Sequence, residues 1–327
     1  MAKKKVGIIF TGGTISMKID PQTGGAIPYL SGNEIIKLIP HIQDHAELEI
    51  YDFGKYPGPH MTLDLMMQLK NVTKQFLDRE DIAGVVITHG TDTLEETAYL
   101  LDLTLNSSKP VVLTGAMKNA SEENWDGEKN LIDSITVAVS PNCIDLGVLV
   151  CLNGEINAAS EVSKIFSDEV ESFKSLDFGS LGFVSKNRVI INRLPRKREY
   201  IPSDKIEKDI DIILVHADMS DKFFRFSADS GAKGLVVEAL GVGNVPPKAY
   251  DGIAYVREKK IPVVLTSRCP AGETMDIYSY YGAGKWLKKI GVIFADYLNG
   301  QKAKIKLGLL LGLGLDEENI KKRFEES

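Results

Sequence analysis

Few chemical handles stand out in this chain. It has only three cysteines, at Cys143, Cys151 and Cys269, and no Cys-x-x-Cys pair. An odd count without that spacing argues against a disulfide framework and a zinc site, and for reduced, buried thiols in the cytoplasm. Four of the five histidines, His41, His45, His60 and His216, have no partner at ligand spacing. We therefore expect no metal site built on cysteine or histidine. No window approaches the roughly 20 apolar residues that cross a bilayer. The basic start, Lys3-Lys4-Lys5, is followed by an apolar run of only Val6 to Phe10, too short for a secretory signal. Positive charge is not in excess either. The formal net charge is -6 and the pI is near 5.5, which argues against nucleic acid or an anionic membrane as the main partner. The cluster Arg193-Leu194-Pro195-Arg196-Lys197-Arg198 reads as a solvated linker.

What the chain does have is room and rhythm. Its 327 residues, 43% of them hydrophobic, can bury a large core and fill two domains. Short apolar runs alternate with helical patterns. Strands are expected at Lys5–Phe10, Ile50–Phe53, Val85–Thr88, Pro110–Thr114, Leu146–Leu152 and Val189–Ile191. Helices are expected at Asn33–Ile39, from Thr62 as cap through Leu77, from Leu94 onward, and at Asn130–Val139. This alternation implies βαβ units and an α/β fold: a larger, mostly parallel N-terminal sheet flanked by helices. Residues 193–208, charged and without period, read as a linker between an N-terminal catalytic domain (1–192) and a smaller C-terminal α/β domain (209–327). The second set of strands starts at Asp211–Val215, Gly234–Ala239 and Ile261–Thr266. A last amphipathic helix, Asp316–Glu326, has Glu317 and Lys321 at helical spacing.

Polar residues gather where strands end. Thr11-Gly12-Gly13-Thr14-Ile15 closes the first strand and lacks the third glycine of a dinucleotide fingerprint. The polar segment Met17–Tyr29 reads as a mobile lid loop, and Tyr56-Pro57-Gly58-Pro59-His60 as non-helical. Thr88-His89-Gly90-Thr91-Asp92-Thr93-Leu94-Glu95-Glu96-Thr97 turns from a strand into a helix. Asp92 or Thr93 is the expected cap, with Glu95 or Glu96 closing a capping box. Neighbouring parallel strands would bring Thr14, Thr91 and the Thr114-Gly115-Ala116 turn to one sheet edge, where α/β sheets hold ligands. A threonine hydroxyl attacks a carbonyl once a base takes its proton. Lys164 is a candidate base, Asp92 its orienting partner, and the glycine-turn N–H groups an oxyanion hole. Each residue also has a plain reading. A threonine after a strand caps a turn, a lone lysine is a solvated surface group, and His89 is a packed turn residue.

Taken together, these stretches resemble the two signatures of the bacterial-type L-asparaginases, in the asparaginase/glutaminase family and of its cytoplasmic type. Val111–Met117 and Trp125-Asp126-Gly127 followed by Asn130-Leu131 continue the likeness along the chain. The resemblance implies an amidohydrolase that converts L-asparagine and water to L-aspartate and ammonia, without cofactor, through a threonine acyl-enzyme. Thr14 would be the nucleophile, with Thr91, Asp92 and Lys164 as a supporting triad. Asp92 would hold the substrate amine, and the Ala116 backbone would lie near the leaving amide. A homodimer or homotetramer is implied as well. A broader glutaminase-asparaginase, or a non-catalytic amino-acid sensor on the same fold, are the alternatives. Three positions depart from the family pattern. Ala26 stands at the lid tyrosine. Gly58-Pro59 stands at the pair that binds the substrate carboxylate, where substrate contacts are still expected. Pro246 stands at an asparagine of the second domain.

Overall fold

The structure, a computed structural model, describes residues 3–196 and 198–325. It divides into two compact units, with the break between Tyr200 and Ile201.

The first unit is built on eight strands, with two short hairpins beside them. In chain order come β1 (Lys5–Gly12), β2 (Met17–Ile19), β3 (Ala26–Pro28), α1 (Gly32–Leu38), β4 (Glu47–Tyr56), α2 (Leu63–Leu77), β5 (Ile82–Thr88), α3 (Leu94–Thr104), β6 (Val111–Thr114) and α4 (Gly127–Val139). They are followed by β7 (Val148–Leu152), β8 (Glu155–Ala158), β9 (Ser163–Lys164), β10 (Phe173–Lys174), β11 (Gly182–Ser185) and β12 (Arg188–Ile191). The main sheet runs β12-β11-β8-β7-β6-β5-β1-β4. Its five central and edge strands β4, β1, β5, β6 and β7 are parallel, and β8, β11 and β12 are antiparallel. Val6, Ile8, Val86 and Val112 are buried against Leu131 and Ile135 of α4, so the apolar runs of the strands form because both sheet faces are covered.

The register aligns the chemistry-bearing ends. Phe10 pairs with Thr88, and Thr88 with Thr114. The turns after β1, β5 and β6 therefore leave the same edge.

Several local expectations are corrected. The segment expected as a lid loop is a hairpin, Met17 opposite Pro28, closed by Asp20, whose carboxylate accepts from the Thr23 hydroxyl at 2.8 Å. The Pro-rich segment holds one 3-10 turn, Gly58–His60. Pro59 fits there because the first helical positions need no N–H donor. Helix α3 has no side-chain cap: Asp92 turns to Lys164 and Thr93 to the Gly58 carbonyl. The capping box sits at α1 instead, between Ser31 and Glu34. Strand β8, absent from the sequence reading, returns from β7 through Asn153-Gly154, both left-handed at φ 49° and 79°. Nor is the basic cluster simply solvated. Arg193 pairs with the buried carboxylate of Glu161, and Arg198 donates to Asp102 at 3.3 Å.

The second unit comprises β13 (Ile210–Leu214), α5 (Lys222–Asp229), β14 (Gly234–Ala239), α6 (Pro247–Glu258), β15 (Val263–Ser267), α7 (Gly284–Lys289), β16 (Ile293–Phe294), α8 (Gly300–Gly312) and α9 (Glu317–Glu325). Its sheet is parallel, in the order β13-β14-β15-β16. Phe224, Ile253, Val237 and Leu265 anchor its core. Glu317 pairs with Arg257 rather than with Lys321, and Glu326 lies outside the described residues. Cys143 and Cys151 are buried free thiols as expected, but Cys269 is exposed.

Candidate active site

Four glycines make the site possible. Leaving β1, Gly12 and Gly13 take φ of 112° and 78°, a left-handed path that side chains resist. A Cβ on Gly13 would lie 2.5 Å from the Gly90 Cα, and one on Gly90 would lie 2.5 Å from the Gly58 nitrogen. The turns after β1, β4 and β5 thus touch backbone to backbone. Thr14 follows Gly13, and Thr91 follows Gly90, so the two threonines lie next to one backbone junction.

The third component comes from far along the chain. Strand β9 pairs Lys164 with Phe173, and its amine reaches the same junction. Lys164 Nζ donates to Thr91 Oγ1 at 2.9 Å and to Asp92 Oδ1 at 2.7 Å. The lysine side chain is only 14% exposed, whereas Asp92 is 58% exposed. Thr91 is buried, and its methyl packs on the β6 turn, 3.2 Å from where a Gly115 Cβ would stand. A hydroxyl, an amine and a solvent-facing carboxylate thus sit in one hydrogen-bonded row. This gathers Thr91, Asp92 and Lys164, and puts Thr14 and Gly58 at the same glycine contact. Ala116 is buried on the adjoining β6 turn, and Pro59 lies in the 3-10 turn.

Two residues that the sequence reading quoted for the family likeness, without giving them a role, hold the Ala116 turn. Asp126 accepts from the Met117 and Lys118 amides at 3.0 and 2.9 Å, and Asn130 Nδ2 donates to the Gly115 carbonyl at 3.0 Å. Their i, i+4 spacing at the start of α4 was the available signal. Glu95 is buried in the first turn of α3 and its carboxylate faces the Lys164 amide at 3.4 Å. His89 is fully buried. Its Nδ1 lies 2.8 Å from the Gly90 carbonyl and its Nε2 2.9 Å from Thr97 Oγ1. Burial, opposed by the Gly90 bond, pushes its pKa down to about 4, so the ring is neutral. A carbonyl only accepts, so Nδ1 carries the proton and Nε2 accepts from Thr97. His89 is the packed turn residue that was expected.

Among the described residues, no group of three His, Cys, Asp or Glu could hold a metal ion, and no helix is long and apolar enough to cross a membrane.

Comparison with known proteins gives consistent matches over the whole length. Residues 5–197 match the family model for the asparaginase N-terminal domain, and residues 209–324 the glutaminase/asparaginase C-terminal domain. The chain is 34% identical to a probable L-asparaginase of Deinococcus radiodurans, over 98% of this chain and 97% of that one. It is 32% identical to an L-asparaginase of Bacillus licheniformis, over 98% and 99%. The crystal structure of a probable cytoplasmic L-asparaginase from Campylobacter jejuni superposes with a TM-score of 0.87 at 32% identity, covering 98% of this chain and 99% of that one. With both family models in sequence and relatives aligned nearly end to end, the chain belongs to the asparaginase family.

Proposed function

We propose that the protein hydrolyses L-asparagine to L-aspartate and ammonia through an ester on Thr14. The observation that carries this reading is the bridge from Lys164 Nζ to both Thr91 Oγ1 and Asp92 Oδ1, beside the Gly13–Gly90 contact. In the first half-reaction the Thr14 oxygen attacks the side-chain amide carbon as its proton is removed. Backbone N–H groups of the glycine turns steady the oxyanion. The C–N bond then breaks, and nitrogen leaves as ammonia with a proton returned to it. In the second half, water attacks the ester. Thr91 and Lys164 relay its proton, and aspartate is released with the Thr14 hydroxyl restored. Asp92, exposed at the end of this row, holds the substrate ammonium group.

The same reading makes the protein a cytoplasmic homo-oligomer of two or four chains. The buried free thiols Cys143 and Cys151 and the likeness to a cytoplasmic relative support that compartment. Gly58-Pro59 offers no side-chain hydroxyl or amide to a substrate carboxylate, so selectivity among asparagine, glutamine and D-asparagine is the property to measure beside the rate.

Ammonia release from asparagine by the wild type, Thr14→Ala and Lys164→Met tests the reaction. Both substitutions should lower kcat by about 1,000-fold or more, since each removes a member of a unit that works together. Aspartate binding should survive in Thr14→Ala. Near-normal turnover in Thr14→Ala would refute the nucleophile. A wild type that binds aspartate without releasing ammonia would favour a sensor.

A further inference from the structure

His89 has no part in the reaction written above, yet its surroundings are fully specified. Its amide donates to the Thr114 carbonyl at 2.8 Å, the last rung between β5 and β6. Its ring is anchored on α3 through Thr97, itself fully buried, and points its one N–H at the carbonyl of the next residue. That residue is Gly90, which has to be glycine because a Cβ there would lie 2.5 Å from the Gly58 nitrogen. The need has a consequence. The peptide that carries Thr91 hangs on the residue type with the greatest backbone freedom, where the direction of the Thr91 hydroxyl matters most.

We propose that His89 is a positioning residue, whose Nδ1–H bond to the Gly90 carbonyl fixes the Gly90–Thr91 peptide and thereby aims the Thr91 hydroxyl at Lys164. The ring works as a strut from α3 to that peptide. Neither of its nitrogens is free to take a substrate proton, so it acts through Thr91. The inference rests on the amide hydrolysis proposed above for its kinetic consequence, but its structural consequence can be read without it.

Two amide isosteres separate this role from plain packing. In His89→Asn the side-chain NH₂ takes the place of Nδ1–H and keeps the bond to Gly90. In His89→Gln the amide reaches the Thr97 end and the Gly90 carbonyl loses its donor. For His89→Gln, kcat on asparagine should fall about 100-fold, the size of effect expected when a reacting group is misplaced by about 1 Å. Its KM should stay within about threefold, because the lost interaction belongs to the transition state. His89→Asn should keep kcat within about fivefold of wild type. Crystal structures of the two variants should show the Thr91–Lys164 contact kept in Asn and lost in Gln. The proposal is overturned if both variants lose kcat equally and in step with their melting temperatures, or if His89→Gln keeps the contact and the rate. Should His89→Gln fail to fold, Thr97→Val frees the ring at its other nitrogen. It should lower kcat about tenfold at unchanged KM, and an unchanged kcat would overturn the role. A wild type that releases no ammonia sinks the reaction alone, and the Thr91–Lys164 distances in the variants then decide the role of His89.

Discussion

A histidine kept neutral inside a protein ties stability to pH. In the folded chain the His89 pKa falls from 6.5 to about 4, while the unfolded chain keeps the higher value. Between these limits the unfolded state binds more protons. The folded state is therefore favoured fully above pH 6.5 and loses stability as pH falls toward 4, by about 3 kcal/mol over the interval. Urea unfolding at pH 7 and at pH 4.5 should show a larger drop in midpoint for the wild type than for His89→Asn. Equal drops would mean that another group dominates acid sensitivity. At this same scale the sequence was only partly legible. His89 could be read as a packed turn residue from its place between a strand and Gly90. Lys164 could not be placed by pattern. It lies on a two-residue strand whose partner, Phe173-Lys174, follows an irregular loop, and neither period nor turn chemistry marks so short a pairing. The chemistry named it as a candidate base, and likeness to a family joined it to Thr91 and Asp92 as a triad.

Elements whose burial is continuous were the readable ones. Strands β1, β5, β6 and β7 announced themselves as apolar, β-branched runs because both their faces are covered. Helix α2 announced itself by Thr62, whose side chain accepts from the Leu65 amide as a cap should. The misses share a cause: local signals that were present but outcompeted by tertiary contacts, or too short to count. Asp92 and Thr93 look like caps, yet Lys164 and the Gly58 carbonyl claim them. Asn153-Gly154 is a strong hairpin signal, but the strand it starts, β8, has only four residues. The element most sensitive to change should be the β5–α3 bend. A Cβ on Gly90 would stand 2.5 and 2.6 Å from Gly58 backbone atoms, so no rotamer relieves it. Gly90→Ala should lose about 1–3 kcal/mol in chemical denaturation and most of its turnover. A variant with wild-type stability would show that the three turns can part without cost.

For the whole molecule, the division into an α/β unit with a mostly parallel sheet and a smaller parallel unit followed from alternating patterns alone. Composition is silent on assembly. In the second unit Phe226 is 71% exposed and Phe223 52%, both on α5, and large aromatic side chains so open to water are candidates for cover by another chain. Sedimentation should give a mass two or four times the 36.0 kDa of the chain. A monomer at micromolar concentration would contradict the proposed assembly.

The glycine junction also limits how such a protein can diversify. Positions 13 and 90 are closed, because any side chain there meets main chain. Position 58 is different: its missing Cβ would sit 3.3 Å from both the Cβ and the backbone nitrogen of Asp92 and 3.4 Å from the Gly90 carbonyl carbon, tight but without the overlap found at 13 and 90. A lineage seeking new amide substrates therefore has one door in this wall, and it opens onto Asp92. Any residue admitted at 58 must arrive together with an adjustment of that carboxylate, so the two positions should vary as a pair.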